Sequence, residues 1–261
     1  MDLWRSGHNV LITGATTGIG YELSLLFAKQ HFNLILVARN SGLLQQRKAE
    51  LEKSFPVQIK TFQLDLTDPD SGKKLFASLK EENIPVEILV NNAGFGLLGP
   101  FIKTDLEKEI QMIQLNEIAP VILSKLFLKQ LPKGVPGKIL NVSSTAAFIP
   151  GPLMSVYYAS KAQLLSFGEA LAYELAGTGV TVTTLCPGPT VTEFQSRAGQ
   201  HGVRLLKTPV MNATTVARKG FKGLMKGKRV VVPGILNKLS VVTMKVLPKR
   251  WLLPVIKYVH Q

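Results

Sequence analysis

Short apolar runs of strand length alternate with amphipathic segments of helix length along most of the chain. The first pair is NVLIT (9–13), followed by a glycine-rich turn and a segment (21–32) whose apolar residues recur at helical spacing. The predicted strands are 9–13, 34–38, 57–64, 86–94, 138–144, 180–188 and 229–233. The predicted helices are 21–32, 42–55, 69–83, about 104–130 and about 152–176.

This order predicts an α/β fold: a single domain on a doubly wound, Rossmann-type parallel sheet of about seven strands, with helices on both faces. The strands are continuous runs of Val, Ile and Leu, as expected when both faces of a sheet are buried. The last strand, 229–233, is expected at the sheet edge, where Pro233 is tolerated. A length of 261 residues and an apolar content of 46% suit one large packed domain.

A glycine-rich turn, TGATTGIG (13–20), follows the first strand. In a doubly wound sheet such a turn lies at the carboxyl edge, where glycines let the backbone approach a pyrophosphate and the next helix N-terminus favours its negative charge. The spacing of Gly14, Gly18 and Gly20 has a longer loop than the commoner dinucleotide fingerprint. On its own, the turn is a weak signal, and the alternative is a tight connection that binds nothing.

Further motifs follow in order: Asp65-Leu66, NNAG (91–94), Asn116, NVSS (141–144), Tyr157-x-x-x-Lys161 and PGPTVT (187–192). Each lies at the carboxyl end of a strand or on the helix after it, where an open α/β sheet binds its ligand. With the glycine turn they resemble the short-chain dehydrogenase/reductase family over residues 9 to about 195. The resemblance implies hydride transfer between a nicotinamide and a carbonyl or secondary alcohol.

The resemblance also assigns the domain parts and the cofactor site. Residues 1–236 correspond to a dinucleotide-binding catalytic domain with a substrate loop at about 189–211, and 237–261 form a C-terminal arm of the same domain. Asp65 resembles the residue near the adenine. The implied cofactor-binding residues are Gly14, Thr16, Thr17, Gly18, Ile19, Gly20, Arg39, Asp65, Leu66, Asn92, Ala93, Gly94, Tyr157, Lys161, Pro187, Gly188, Thr190 and Thr192.

The residue after the second strand indicates which dinucleotide binds. NAD-dependent enzymes usually place an acid there for the ribose hydroxyls, whereas a 2′-phosphate needs a cation. This chain has Arg39, whose planar guanidinium suits phosphate, and no acid follows before Glu50. The sequence therefore predicts NADP(H). The alternative is that Arg39 is an ordinary solvated charge.

Tyr157 and Lys161 lie one turn apart on the predicted helix, so the ammonium is expected near the phenol. A neighbouring cation favours the ionised phenol and lowers its pKa from about 10. Tyr157 is therefore the candidate general acid. Tyr158 is a rival, since it is three residues from Lys161 and also faces that side. The family motif selects Tyr157.

Two further residues complete the catalytic set that the resemblance implies. Ser144 would hydrogen-bond the substrate carbonyl beside Tyr157, and Asn116 would hold a water that links Lys161 to solvent. Ser143 is the neighbouring alternative to Ser144, but side chains alternate along a strand and only one of the two can face the site. A different class of function remains open, namely an NADP(H)-binding regulatory or scaffold protein without turnover.

The stretches on either side of the predicted site are apolar. AAFIPGPLMSV (146–156) offers Phe148, Ile149, Leu153 and Met154, and FGLLGPF (95–101) offers a second wall. Neither contains an acid or guanidinium for a polar substrate, which favours an apolar ketone or alcohol of acyl, lipid or steroid-like type. The alternative is that these side chains belong to the core.

Charge is unevenly distributed along the chain, whose formal net charge is +14. Residues 1–193 hold 17 basic and 17 acidic side chains, whereas 194–261 hold 14 basic and no acidic ones. In 237–261 the basic residues interleave with Val, Leu, Trp and Tyr, and Pro248 and Pro254 favour two short helices over one. This composition predicts contact with an anionic membrane surface. An acidic carrier protein, a partner subunit and the chain's own domain are the alternatives.

Several classes are excluded by composition. A single cysteine, Cys186, forms no internal disulfide, four scattered histidines show no metal-ligand spacing, and no nucleic-acid motif accompanies the basic segment. The eight residues before the first strand are too few for a signal peptide, and lysines interrupt the apolar C-terminus. We therefore expect a cytoplasmic protein, peripheral at most at the cytosolic face of a membrane, without metal. The resemblance also implies that the protein is a homo-oligomer, either a dimer or a tetramer.

Overall fold

Seven parallel strands form the central sheet of the computed structural model, which describes residues 7–132, 134–199 and 210–261. Two short strands pair with each other outside that sheet. The strands are β1 (Asn9–Thr13), β2 (Asn33–Ala38), β3 (Ile59–Gln63), β4 (Ile88–Asn91), β5 (Gly137–Val142), β6 (Val180–Leu185), β7 (Thr190–Val191), β8 (Met211–Asn212) and β9 (Val230–Val231).

The order across the main sheet is β3-β2-β1-β4-β5-β6-β9, with every neighbouring pair parallel. From β1 the chain adds β2 and β3 on one side. It then returns to the other side of β1 with β4 and adds β5, β6 and β9 outward from there, which is the doubly wound arrangement predicted from the sequence. The predicted edge strand is present as β9. Between β1 and β4 the connections diverge, leaving a crevice at the carboxyl ends of the strands.

Helices cover both faces of the sheet. They are α1 (Gly18–Lys29), α2 (Ser41–Ser54), α3 (Ser71–Glu81), α4 (Leu106–Ile113), α5 (Ala119–Gln130), α6 (Ser155–Glu174), α7 (Phe194–Arg197), α8 (Ala213–Met225), α9 (Ile235–Val246) and α10 (Lys249–Val259). Side-chain caps set several starts: Asn40, Asp105 and Asn212 each accept a hydrogen bond from the backbone N–H three residues later.

Two apolar layers hold the helices on the sheet. On one face Phe27 of α1 packs edge-on against Phe32 and Phe221, and Val216 of α8 is fully buried. On the other face Phe76 of α3 and Phe127 of α5 pack under the strands. Because these layers cover the strands along their length, the strand ends are left free to build the crevice.

The structure differs from the sequence prediction in several places. Helix α8, which covers one face of the sheet beside α1, is not predicted from the sequence. The predicted helix 104–130 begins at Leu106 and contains a π-helical turn, Gln114–Ile118, between α4 and α5. The arm begins with α9 at Ile235 instead of 237. Of the predicted substrate loop, residues 200–209 lie outside the described part of the chain.

The C-terminal arm forms two short helices, α9 and α10, as predicted. Leu247 and Pro248 separate them, whereas Pro254 lies inside α10. Among the described helices, none is both long and apolar enough to cross a membrane.

Candidate active site

A cavity of about 810 Å³ opens at the carboxyl ends of β1, β4, β5 and β6. Every predicted catalytic and cofactor-binding residue lines it except Gly20 and Asn116. Its volume falls in the range of roughly 300–1,000 Å³ typical of ligand sites. The structure thus brings predicted site residues that are up to 178 positions apart in sequence, Gly14 and Thr192, to one cavity.

The glycine turn forms one end of the cavity. Gly14 and Gly18 have φ of +63° and +55°, a region that only glycine adopts readily. A Cβ on Gly18 would lie 3.1 Å from Thr192, so a side chain there would also narrow the cavity. Gly20 lies behind the turn, where a Cβ would collide with Gly14 O and with Asn92. Its role is therefore packing of α1 against the turn.

Hydrogen bonds join this turn to the end of β4. Thr13 Oγ1 accepts from the backbone N–H groups of Asn92 and Ala93, at 3.0 Å each, and donates to Val90 O. Asn92 Nδ2 donates to Thr13 O at 2.9 Å and to Gly14 O at 3.1 Å. These bonds fix the distance between the two strand ends that form the crevice.

Arg39 lies at the cavity mouth beside the glycine turn. Its side chain is 63% exposed, and its Nη1 is 4.0 Å from Asp65 Oδ2, which is itself half exposed. So long and solvated an ion pair holds the guanidinium only weakly. Leu43 of α2, which the sequence analysis did not single out, adds an apolar surface next to it. The mouth can therefore accept a group with an apolar face and an anionic substituent.

Tyr157, Ser144 and Lys161 meet in the middle of the cavity. Ser144 follows β5, hydrogen-bonds Tyr157 and accepts from Ala146 N at 3.1 Å. Ser143 also lines the cavity, but its hydroxyl is already engaged, because Oγ donates to Lys161 O at 2.8 Å. Lys161 Nζ donates to Val142 O at 3.1 Å and lies 5.8 Å from the centre of the Tyr157 ring.

The pKa of Tyr157 differs from the sequence expectation. The expected lowering by Lys161 is wrong: burial raises the pKa of Tyr157 to about 12, and the hydrogen bond with Ser144 opposes this only in part. Burial also lowers the pKa of Lys161 to about 8. Desolvation disfavours the charged form of each group, and the ammonium is directed at Val142 O instead of the phenol. Tyr157 is thus protonated at neutral pH, as a proton donor must be.

Tyr158, the rival proton donor, has another partner. Its hydroxyl lies 2.7 Å from Nε2 of His260, and the two rings pack edge-on. His260 also lines the cavity, a position that the sequence analysis missed because no motif marks it. Both tyrosines are nine-tenths buried, so burial does not distinguish them. Their hydrogen-bond partners distinguish them, since Tyr157 is paired with Ser144 and Tyr158 with His260.

Asn116 lies in the π-helical turn and behind the cavity wall. Its Oδ1 accepts from Phe95 N at 3.1 Å, and its Nδ2 donates to Phe95 O at 2.9 Å and to Ser160 Oγ at 3.1 Å. A Cβ on Gly94 would lie 2.8 Å from Asn116 Oδ1 and 3.4 Å from Lys161 Nζ. The side chain therefore fixes the 94–95 segment against α6. The water relay that the resemblance implies stays a prediction.

The remaining walls come partly from the predicted apolar stretches and partly from the arm. Phe95, Ile149 and Met154 line the cavity, whereas Phe148 and Leu153 do not. The arm contributes residues from both of its helices, and no sequence signal identified them. They are Leu236, Asn237, Ser240, Met244, Ile256, Val259 and His260.

Asn237 shows how closely the arm is packed into the site. Its Nδ2 donates to Pro233 O at 2.8 Å, and its side chain occupies the space where a Cβ of Gly188 would be. The segment after β6 can pass the arm only because residue 188 is glycine.

No cluster of three or more potential metal ligands occurs in the part of the chain that the structure describes.

Comparison with known proteins gives the same family as the motifs. The family model for short chain dehydrogenase matches residues 8–202. A short chain dehydrogenase of Pseudocercospora fijiensis is 32% identical over 220 residues, which cover 78% of this chain and 70% of the relative. A very-long-chain 3-oxoacyl-CoA reductase of Laccaria bicolor is 35% identical over 185 residues, covering 69% of this chain and 54% of the relative.

The architecture agrees with a solved structure as well. A short-chain dehydrogenase from Sphingobium yanoikuyae in complex with NADPH superposes with a TM-score of 0.80 at 29% identity, over 93% of this chain and 97% of the other. The glycine turn, the tyrosine–lysine pair and the doubly wound sheet therefore have one explanation: this chain belongs to the short-chain dehydrogenase/reductase family of nicotinamide-dependent oxidoreductases.

Proposed function

We propose that the protein is an NADP(H)-dependent oxidoreductase that interconverts an apolar ketone and its secondary alcohol. The observation that supports this most directly is the meeting of Tyr157, Ser144 and Lys161 in one cavity whose other end is the glycine turn. A nicotinamide supplies or accepts the hydride when bound. A scaffold protein of the same fold would have no need of a buried, protonated phenol hydrogen-bonded to a serine.

The residues present fit a dinucleotide. A Cβ on Gly18 would lie 3.1 Å from Thr192, another residue of the cavity wall, so the glycine leaves space there that a side chain would fill. The start of α1 at Gly18 offers backbone N–H groups to a pyrophosphate. Arg39 would hold a 2′-phosphate, and Pro187, Gly188, Thr190 and Thr192, which also line the cavity, would orient the carboxamide of the nicotinamide.

In the proposed reaction each residue has a separate task. Ser144 donates a hydrogen bond to the substrate oxygen and holds it beside the phenol. Tyr157 transfers its proton to that oxygen during reduction and receives one during oxidation. Lys161, with its pKa lowered to about 8, is the group that charges and discharges most easily next to the tyrosine. The direct test is oxidation of NADPH, followed by absorbance, over a panel of ketones.

The apolar walls support a substrate of acyl, lipid or steroid-like type. Ile149, Met154, Met244 and Ile256 surround the end of the cavity beyond Tyr157. One relative bears the name very-long-chain 3-oxoacyl-CoA reductase, which agrees with a long apolar chain in this position. The panel therefore includes long-chain and fused-ring ketones, and these are expected to react faster than short polar ones.

Arg39→Asp is expected to shift the preference of the enzyme from NADPH toward NADH. The variant loses the partner of the 2′-phosphate and gains an acceptor for ribose hydroxyls, and a charge-assisted bond contributes roughly 1.5–3 kcal/mol. We expect the ratio of kcat/KM for NADPH to that for NADH to fall by about tenfold or more. Lys53→Asp, at an exposed position in the last turn of α2, is the matched control. Equal use of both cofactors by the unmodified enzyme contradicts the proposal.

We also propose that the protein is at least a dimer. Leu106 and Ile110 of α4, one helical turn apart, and the preceding Phe101 and Ile102 are 42–92% exposed. In a two-fold symmetric dimer, the same patch of the second chain covers this apolar patch. Light scattering at micromolar concentration is expected to give the mass of two or more chains, and Leu106→Glu to lower it. A monomer mass for the unmodified protein counts against the proposal.

The last part of the proposal is a location at the cytosolic face of an anionic membrane. On α9 an exposed apolar stripe follows the spacing i, i+4, i+7, i+11: Ile235, Leu239, Val242 and Val246. On α10, Trp251 and Val255 are exposed as well. Since the inner faces of both helices line the cavity, these helices are apolar on two sides, and the outer side needs a partner.

The basic residues around this outer side favour an anionic bilayer as its partner. The exposed basic residues around the stripe are Lys238, Lys245, Lys249, Arg250 and Lys257. No acidic residue follows Glu193 in the chain, so a second copy of this surface would be repelled. A bilayer offers both the negative charge and an apolar interior within reach of the tryptophan.

A further inference from the structure

Arg47 of α2 contacts the glycine turn, although it belongs to none of the sequence motifs. Its Nε donates a hydrogen bond to the backbone carbonyl oxygen of Thr16 at 3.1 Å. Thr16 lies between Gly14 and Gly18 in the turn and lines the cavity, whereas Arg47 is not part of the cavity wall. Arg47 therefore holds the turn from outside the cavity.

Two neighbouring residues hold the guanidinium of Arg47 in place. Its Nη1 lies 2.7 Å from Oε2 of Glu50 on the same helix, and its central carbon lies 4.2 Å from the ring centre of Tyr21 on α1. The hydroxyl of Tyr21 donates to the same carboxylate oxygen at 2.9 Å. The hydrogen bond from Arg47 is the largest of the contributions that lower the pKa of Glu50, which is thus ionised at neutral pH. The Arg47 side chain is only 24% exposed, so it is far better fixed than Arg39.

The bond from Arg47 fixes the orientation of the peptide unit between Thr16 and Thr17. The C=O and N–H groups of a trans peptide point in opposite directions, and the described residues contain no cis peptide. Because the carbonyl of Thr16 is directed at Arg47, the N–H of Thr17 points away from that side chain. No described residue accepts a hydrogen bond from this N–H, and Thr17 is a half-buried residue of the cavity wall. The turn thus has a donor available for a ligand.

A cation at the carbonyl end of a peptide unit strengthens the donor at its other end. Glu50, Arg47 and the Thr16–Thr17 peptide form one chain of hydrogen bonds, and the members of such a chain polarise one another. A donor of this kind suits an anionic acceptor. Attachment of α2 to α1 does not explain the bond to Thr16, because the bond between Tyr21 and Glu50 already joins these helices.

We propose that Arg47 is a positioning residue of the dinucleotide site, which directs the N–H of Thr17 at a phosphate group of the cofactor. The proposal rests on the proposed function, since it takes NADP(H) as the ligand of the glycine turn. It adds a residue that does not touch the cofactor and acts through the Thr16–Thr17 peptide. The pyrophosphate and the 2′-phosphate offer the same acceptor chemistry, and the experiment distinguishes them.

The main variant is Arg47→Met, which removes the donor but keeps a long side chain over the Tyr21 ring. We expect the Kd and KM for NADPH to rise by about tenfold, as for the loss of a hydrogen bond to a charged group. The kcat should change by less than about twofold, because the reacting groups lie elsewhere in the cavity. Fluorescence titration gives the Kd without turnover. Lys53→Met, which removes an exposed charge from the last turn of α2, should change none of these constants.

A second variant separates positioning from stability. Glu50→Gln removes the negative charge but keeps an oxygen that accepts from Arg47 and Tyr21, so Arg47 should stay bonded to Thr16. We expect a lower melting temperature with an unchanged Kd for NADPH. If Glu50→Gln and Arg47→Met instead weaken NADPH binding in proportion to their losses in melting temperature, Arg47 is only structural and the inference is overturned.

Two nucleotides without a nicotinamide identify the phosphate group. ADP carries a pyrophosphate and no 2′-phosphate, whereas adenosine 2′,5′-bisphosphate carries a 2′-phosphate and no pyrophosphate. Calorimetry compares their binding to the unmodified protein and to Arg47→Met. Weaker binding of ADP places the N–H of Thr17 at the pyrophosphate, and weaker binding of the bisphosphate alone places it at the 2′-phosphate. Unchanged binding of both nucleotides overturns the inference.

The outcomes also distinguish this inference from the proposed function. If the unmodified protein reduces ketones and Arg47→Met binds NADPH equally tightly, the inference fails and the proposed reaction stands. If Arg47→Met weakens NADPH binding but no ketone is reduced by the unmodified protein, the inference holds and the proposed reaction fails. Absence of dinucleotide binding by the unmodified protein overturns both.

Discussion

Replacing Tyr157 with Phe is expected to lower turnover by about 10²–10⁴-fold, the usual contribution of general acid catalysis. The change removes one hydroxyl from a buried ring that packs against Phe194, with centres 5.4 Å apart, so the packing is kept. Cofactor binding is expected to stay within about threefold, because the phenol is only one small part of the dinucleotide site. NADPH oxidation and a fluorescence titration with NADPH measure the two effects.

The same substitution elsewhere on α6 provides the control. Tyr173→Phe also removes a hydroxyl from this helix, but Tyr173 is 74% exposed and is not part of the cavity wall, so turnover should be unchanged. Tyr158→Phe should have a smaller effect than Tyr157→Phe, because the Tyr158 hydroxyl is already paired with Nε2 of His260. If Tyr158→Phe were the inactive variant and Tyr157→Phe retained full turnover, our choice of proton donor would be wrong.

Binding to anionic vesicles is expected to be nearly complete at low salt and to be lost in variants of the outer face of α9 and α10. Each basic residue near an anionic surface contributes roughly 1 kcal/mol, and buried apolar side chains add a part that salt does not screen. Cosedimentation with phosphatidylglycerol vesicles should therefore weaken, but persist, at high salt. Neutral phosphatidylcholine vesicles should bind much less.

Point variants test this surface better than truncation, because the inner faces of both helices form the cavity wall. Leu239→Glu combined with Trp251→Glu removes apolar area from exposed positions and should abolish sedimentation, with ketone reduction as the check on folding. Lys29→Glu, on α1, changes an exposed charge elsewhere in the molecule and should still sediment.

Two results would contradict the membrane proposal. Failure of the unmodified protein to sediment with anionic vesicles at low salt leaves the outer face without its proposed partner. Binding to an acidic carrier protein that high salt abolishes entirely, with no vesicle binding, identifies a protein surface of purely electrostatic character instead. In the first case the apolar stripe from Ile235 to Val246 would be better explained by packing against a different, less basic surface of another copy of this chain.

The sequence alone determined the sheet, the order of its helices and the location of the motifs. Strand and helix patterns are local, and the parallel order of a doubly wound sheet follows from their alternation. Because the carboxyl ends of parallel strands share one edge, motifs as far apart as Thr13–Gly20 and 187–192 could be placed together without coordinates. Helix α8 was missed, although an asparagine cap precedes it at Asn212.

Only the tertiary structure decided the electrostatics of the site and the place of the arm. The pKa of Tyr157 depends on how completely the phenol is buried, which no spacing along a helix reveals, and burial reversed the expected direction. The arm is basic and apolar in sequence, yet its inner face forms a cavity wall and brings His260 to Tyr158, 102 positions earlier in the chain. Such a contact has no local signal, because it is determined by packing between distant segments.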